Sequence, residues 1–164
     1  MQKEIDTVLG KKIVTLEDLP NLPFTSQVIA ESMRLYPAAY IIGRRSLEED
    51  VIDGYAIDKM RNMLIPIYLI HRHPDIWEKP EDFMPERFEK EKAKNYDKFA
   101  YFPFGGGPRL CIGNNFALME MQIILATFIQ HFEYTMQNNE IVEPDPMITL
   151  KPRGGVWGRI KMRD

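Results

Sequence analysis

Between Ile112 and Phe132 the chain carries an apolar run whose hydrophobic side chains, Phe116, Leu118, Met121, Ile123, Ile124 and Phe128 among them, fall on nearly every face of a helix. Such a helix needs neighbours on all sides. Asn114, Asn115, Glu120, Gln122 and Thr127 interrupt the run, so it reads as a buried core helix and not as a bilayer span. The rest of the 164 residues offers little to surround it. One other helix is well bounded, from about Thr25 to Leu35, and Pro37 ends it. The chain therefore reads as part of a larger core.

The segments between these helices are irregular or extended. AYIIGRRS, VIDGYAI and NMLIPIY, separated by the turn signals Asp53-Gly54 and Asp58-Lys59, predict two or three short strands. From His71 to Asn95 the chain holds Pro74, Pro80, Pro85 and many charges without a sustained period, which predicts a long connector. A stretch of that length without regular structure is uncommon inside a compact domain, so something must hold it in place. Before Pro20 and Pro23 lies a polar opening segment. After the apolar helix come an Asn-rich turn and a tail that predicts a hairpin around Gly154-Gly155.

Composition excludes some partners. A net charge of -3, with 45% hydrophobic and 27% charged residues, suits an ordinary soluble domain and gives no electrostatic reason to expect nucleic acid or an anionic membrane. A single cysteine cannot form an internal disulfide. The opening MQKEIDTVLGKK lacks the apolar core of a secretory signal, so a cytoplasmic chain without a membrane segment of its own is expected.

That cysteine lies in the run FPFGGGPRLCIG, from Phe102 to Gly113. Gly105, Gly106, Gly107 and Gly113 allow the backbone to take positive φ and to approach a ligand closely, with N–H groups turned towards an anion. The start of the apolar helix near Asn114 and the charge of Arg109 add to this, and together they favour thiolate over thiol at Cys111. A stabilised thiolate is a nucleophile or a metal ligand. His71 and His73 raise a zinc alternative with Cys111, but no clear fourth ligand exists. A phosphate-binding reading fails too, because the loop lacks the Lys-Ser/Thr ending of a P-loop.

Phe104, Gly107, Arg109 and Gly113, standing seven, four and two residues before Cys111 and two after it, resemble the cysteine-ligand loop of the haem-thiolate monooxygenases, the cytochrome P-450 family. The resemblance implies that Cys111 is the axial ligand of haem iron, that Phe104 packs beside it and that Arg109 contacts a haem propionate. ESMRLYP resembles the family's Glu-x-x-Arg helix and PERF, from Pro85 to Phe88, its partner motif. Glu31, Arg34 and Arg87 would then form a buried structural cluster in which each arginine offers a planar fork to one carboxylate. On residues alone, Glu31 and Arg34 three apart read first as a solvated surface pair, and it is the resemblance that reverses this. HRHPDIW resembles the family's segment before the connector, where the histidine is structural.

Arg45 is placed like the family arginine that pairs with a haem propionate, with Arg44 the competing choice because one residue of register exchanges their faces. Ala39, Tyr40 and Ile41, and Met147 and Ile148 in the tail, resemble two substrate-contact segments and imply an apolar substrate. The family resemblance thus implies an α+β fold, mostly α with small β-sheets, in which residues 1–164 are the C-terminal portion of one domain. Nothing here matches the distal oxygen-activating helix, which leaves three expectations: a fragment, a split gene product or a misplaced start. The cofactors implied are haem b and, through a reductase or ferredoxin-like electron donor, NAD(P)H. Lys92, Lys94 and Lys98 are candidates to meet that donor. The alternative is a non-catalytic remnant or interaction module that keeps the scaffold without haem.

Overall fold

The computed structural model describes residues 1–137 and 142–163. Five α-helices lie along it: α1 (Gln2–Val8), α2 (Pro23–Leu35), α3 (Ile67–Ile70), α4 (Lys90–Ala93) and α5 (Asn114–His131). Eight short strands accompany them: β1 (Ile42–Arg45), β2 (Asp50–Ile52), β3 (Tyr55–Ile57), β4 (Asn62–Ile65), β5 (Phe132–Met136), β6 (Pro144–Pro146), β7 (Leu150–Pro152) and β8 (Gly158–Met162). They form four antiparallel pairs, β1 with β4, β2 with β3, β5 with β8 and β6 with β7. The fold is α+β, as expected.

Several elements depart from the sequence expectation for identifiable reasons. The opening segment is helical, because Met1, Ile5, Val8 and Leu9 make one apolar stripe that its charges obscure. VIDGYAI is not one strand but a hairpin. Asp53 (φ 49°) and Gly54 (φ 80°) both take the left-handed conformation that a tight two-residue turn needs. The tail does turn at Gly154 (φ 73°) and Gly155 (φ 82°), but the strands on either side pair elsewhere, β7 with β6 and β8 with β5. Of the expected Asn-rich turn, residues 138–141 lie outside the described residues.

The hydrophobic core is built by α1, α5 and the segment that runs from α1 to the start of α2. Ile5, Leu9, Val14 and Leu22 pack on Ala126, with Ile123 and Ile129 beside them. Glu4 reaches from α1 to the start of α2, where its carboxylate accepts the N–H groups of Phe24 (2.7 Å) and Thr25 (2.9 Å). Gln130 donates to the carbonyls of Gly10 and Lys12, both at 2.9 Å, and ties the other end of α5 to the loop after α1. Yet α5 buries only Ala126 and Gln130, while Phe116 is 63% and Ile124 60% exposed. An apolar groove of about 440 Å³ runs between α2 and α5, lined by Val28, Met33, Met121, Ile124 and Phe128.

The surface area puts a magnitude on this. A compact monomer of 19.2 kDa exposes about 8,400 Å² by the usual size scaling. This chain exposes 12,099 Å². The excess is of the order that large permanent interfaces cover, and much of it is apolar side chain that water solvates poorly.

Candidate functional site

The site is organised around a buried ion cluster. Glu31 and Arg34 are fully buried, and Arg87 nearly so. Arg34 donates to both carboxylate oxygens of Glu31, Nε to Oε2 at 2.7 Å and Nη2 to Oε1 at 2.9 Å. The backbone N–H of Met84 donates to Oε1 as well, at 2.8 Å. Arg87 does not fork onto the carboxylate as expected. Its Nε faces Oε1 at 3.4 Å, while its Nη2 donates to the carbonyl of Lys79 at 2.8 Å and contacts Met84 Sδ.

The cluster also accounts for the long connector. Arg34 Nη1 donates to the carbonyls of His71 and Pro80, both at 2.7 Å, and Nη2 to that of Asp82 at 3.1 Å. One guanidinium therefore fastens three points of a segment with little regular structure of its own. Trp77, fully buried, lies over Arg34 at 5.1 Å and packs against Tyr96 and Phe88. Sequence reasoning missed this aromatic layer. Its signal was the bulky rings of HRHPDIW, PERF and KNYDK, with no period to mark them.

His71 joins the cluster to the cysteine loop. It caps α3, is fully buried, and stacks on Tyr101 with Phe102 against its edge. Its Nδ1 lies 3.3 Å from the Arg34 carbonyl and its Nε2 accepts the N–H of Phe102 at 3.0 Å. One donor and one acceptor are what a neutral ring with Nδ1 protonated provides. Burial pushes its pKa down from 6.5 to about 4. His73, by contrast, is exposed and 3.9 Å from Asp75. The two histidines share no site, and they sit at a helix end, not on a strand as the zinc alternative assumed.

That shift sets a pH dependence. Because the unfolded chain takes up the proton at a higher pH than the folded one, stability is full above 6.5 and falls as pH drops towards 4. The loss attributable to His71 should be roughly 3 kcal/mol. Urea unfolding of wild type and His71→Gln between pH 7 and 4 measures it; equal slopes for the two proteins would contradict it.

The cysteine loop follows from Phe102. The N–H of Gly105 donates to Phe102 O at 2.9 Å, and the N–H of Cys111 to Phe104 O at 3.1 Å. Only Gly105 (φ 75°) and Gly107 (φ 68°) use positive φ. Gly106 is glycine for another reason: a Cβ there would stand 2.9 Å from the ring of Phe99. Gly113, at φ −89°, is the cap residue of α5, and a Cβ on it would lie 4.0 Å from the sulfur of Cys111. Cys111 is exposed, together with Leu110, Ile112 and, further along α5, Phe116. Arg109 is exposed in the turn before it, and Phe104 is half-buried beside a cleft of about 560 Å³.

The strand arginines separate as alternation demands. Ile42 and Arg44 line a cavity with Phe102, Gly106 and Gly107, whereas Arg45 turns away and donates to Asn62 at 2.9 Å. Ile42 sets the inward phase, and Arg44, the competing choice, shares it, while Arg45 does not. The two candidate substrate segments are brought together across more than a hundred residues. Tyr40 donates its hydroxyl to the carbonyl of Met147 at 3.1 Å, and the N–H of Leu150 donates to Ala38 O at 2.9 Å. Tyr40 and Ile41 line an apolar cavity of about 380 Å³ with Leu69, Pro146 and Leu150. Ala39, Met147 and Ile148 are exposed beside these segments.

Lys92 and Lys94 are paired within their own segment, to Glu89 at 3.0 Å and Glu91 at 2.8 Å, so the expected cationic face is locally neutralised there. Lys98 lies over the ring of Phe99. Among the described residues no helix is long and apolar enough to cross a membrane.

Known proteins resemble this arrangement along nearly its whole length. The family model described as cytochrome P-450 matches residues 1–158. A protein of Mycobacterium tuberculosis named cytochrome P-450 132 is 40% identical over 156 residues, covering 95% of this chain and 34% of its own. Chloroplastic cytochrome P-450 97B2 of Glycine max is 35% identical over 193 residues, which are 99% of this chain and 34% of that protein. The crystal structure of a mutant cytochrome P-450 haem domain superposes with a TM-score of 0.93 at 28% identity, covering 99% of this chain and 36% of that one. The chain spans about a third of the length of the relatives it matches. Agreement in sequence from residue 1 to residue 158, carried by the same backbone, makes the chain a member of the cytochrome P-450 family.

Proposed function

We propose that this chain is the haem-ligand portion of a haem-dependent monooxygenase. The observation that carries the reading is the presentation of Cys111. The sole cysteine is exposed beside Leu110 and Ile112, on a loop whose backbone is fixed by Phe104 and by two left-handed glycines. A soft donor set in an apolar ledge, with arginines at its margin, suits a large flat apolar cofactor that carries a metal and anionic side groups. Cys111 would hold the iron of haem b, Phe104, Gly107 and Gly113 would surround the sulfur, and Arg109 and Arg44 would meet the propionates. When bound through a thiolate, haem activates dioxygen.

The chain's own residues contribute position and exclusion. The ion cluster and aromatic layer fix the loop, and Tyr40, Ile41, Met147 and Ile148 offer an apolar wall that suits an apolar substrate. Electrons would come from NAD(P)H through a reductase or ferredoxin-like donor. The remaining two-thirds of the fold, in whatever polypeptide carries it, would cover the excess surface of α5 and of the groove beside it, so residues 1–164 alone bind haem weakly and turn over little.

Titration of the chain with haem, read as a red-shifted Soret band after reduction and carbon monoxide addition, tests this. Arg44→Ala should weaken haem retention by roughly tenfold, the worth of one charge-assisted contact, while Arg45→Ala leaves it unchanged. A folded chain that stays colourless would instead support a scaffold that binds no haem.

A further inference from the structure

We infer that His71 is a positioning residue for Cys111, transmitting the placement of the buried ion cluster to the backbone of the cysteine. The inference rests on the reading of Cys111 as the ligand. It adds the route by which that ligand is placed.

The route is continuous in the structure. Arg34 and His71 are tied twice, since Arg34 Nη1 donates to His71 O at 2.7 Å and the ring Nδ1 meets Arg34 O at 3.3 Å. The other ring nitrogen accepts the N–H of Phe102, the residue at which the glycine loop begins. Phe102 O then closes the turn through the N–H of Gly105, and Phe104 O takes the N–H of Cys111. The ring is fully buried between Tyr101 and Phe102. Water is therefore not at hand to replace it, and a lost partner leaves the Phe102 N–H unsatisfied. A histidine that merely filled space would need neither bond. Here both ring nitrogens are used, and each points to a different one of the two parts whose relative position matters.

Three substitutions separate positioning from packing. Glutamine's longer arm carries its carbonyl oxygen to about the place of Nε2, asparagine's shorter arm carries its amide nitrogen to about that of Nδ1, and phenylalanine keeps only the ring. Amide hydrogen exchange in the chain without haem is the first measurement. The Phe102 and Cys111 amides should exchange roughly tenfold faster or more in His71→Asn and His71→Phe, and stay near wild type in His71→Gln. The second measurement is the fraction of haem-loaded protein showing the red-shifted Soret band, which should fall in Asn and Phe and persist in Gln.

Unchanged exchange at Phe102 and Cys111 in a folded His71→Asn or His71→Phe would overturn the inference. Unfolding of all three variants would also overturn it, in favour of a purely structural role. Should only His71→Phe fail to fold, the comparison of Gln with Asn still decides. If exchange responds as expected while wild type shows no red-shifted band, the haem reading fails and the route stands, so the two failures are told apart.

Discussion

Arg34→Ala should destabilise the chain by about 3–5 kcal/mol, the cost of leaving a buried charge without its partner. The geometry explains why the effect belongs at the upper end. Removing the guanidinium leaves the Glu31 carboxylate, fully buried, with only the Met84 N–H and an arginine whose Nε stands 3.4 Å away. It also strips donors from the carbonyls of His71, Pro80 and Asp82 and takes away the cation under Trp77. Single domains are stable by roughly 5–15 kcal/mol, and this one has unusually little buried apolar side chain to draw on. Arg34→Lys should not rescue it, because a single ammonium cannot serve two carboxylate oxygens and three carbonyls at once. Urea unfolding gives the magnitude, and limited proteolysis between residues 71 and 89 should show the connector released in the variant. Haem retention should be lost with it. A shift of less than about 1 kcal/mol, the range of exposed pairs, would show that the cluster is not what fixes the connector.

How far these residues could be read from sequence depended on whether their partners were near in the chain. The helices at residues 23–35 and 114–131 were legible because period and punctuation are local. The hairpin at Asp53-Gly54 was half legible: its turn was marked, but strands of three residues are too short to show alternation. The tail was misread because a turn between two extended runs usually makes a hairpin, and only the distant strands β5 and β6 compete for those runs. No local pattern encodes that competition.

The site divides in the same way. Glu31 and Arg34, three apart on one helix, were visible as a pair but not as buried, since burial comes from Trp77 and the connector wrapping over them. Arg44 and Arg45 differ by one position, and sequence could not choose between them until the phase of the strand was fixed by Ile42. His71 was visible as a residue and invisible as a joint, because its two partners come from Arg34 and Phe102, each more than thirty residues away. The lysines at 92 and 94 looked free for the converse reason, that a flexible charge finds its nearest neighbour, here Glu89 and Glu91.

The need of α5 for neighbours was legible in the sequence, because it requires no partner to be identified. A helix apolar on every face must be covered, and at 12,099 Å² the chain leaves it uncovered. That same surface borders the loop on which the sole cysteine stands, so the exposed apolar face and the proposed cofactor meet at one place.

Cys111→Ser is the change with the largest expected effect. Serine keeps the size and the backbone of the loop, including the N–H that donates to Phe104 O, but replaces a soft sulfur with a hard oxygen that binds haem iron poorly. Stability should move little, because the side chain is exposed and no other described residue is hydrogen-bonded to its sulfur. The decisive measurement is the spectrum of the haem-loaded chain after reduction and addition of carbon monoxide, wild type against Cys111→Ser. A red-shifted Soret band in the wild type that disappears completely in the folded variant is the predicted result; an identical band in both proteins would contradict the assignment of Cys111 as the iron ligand.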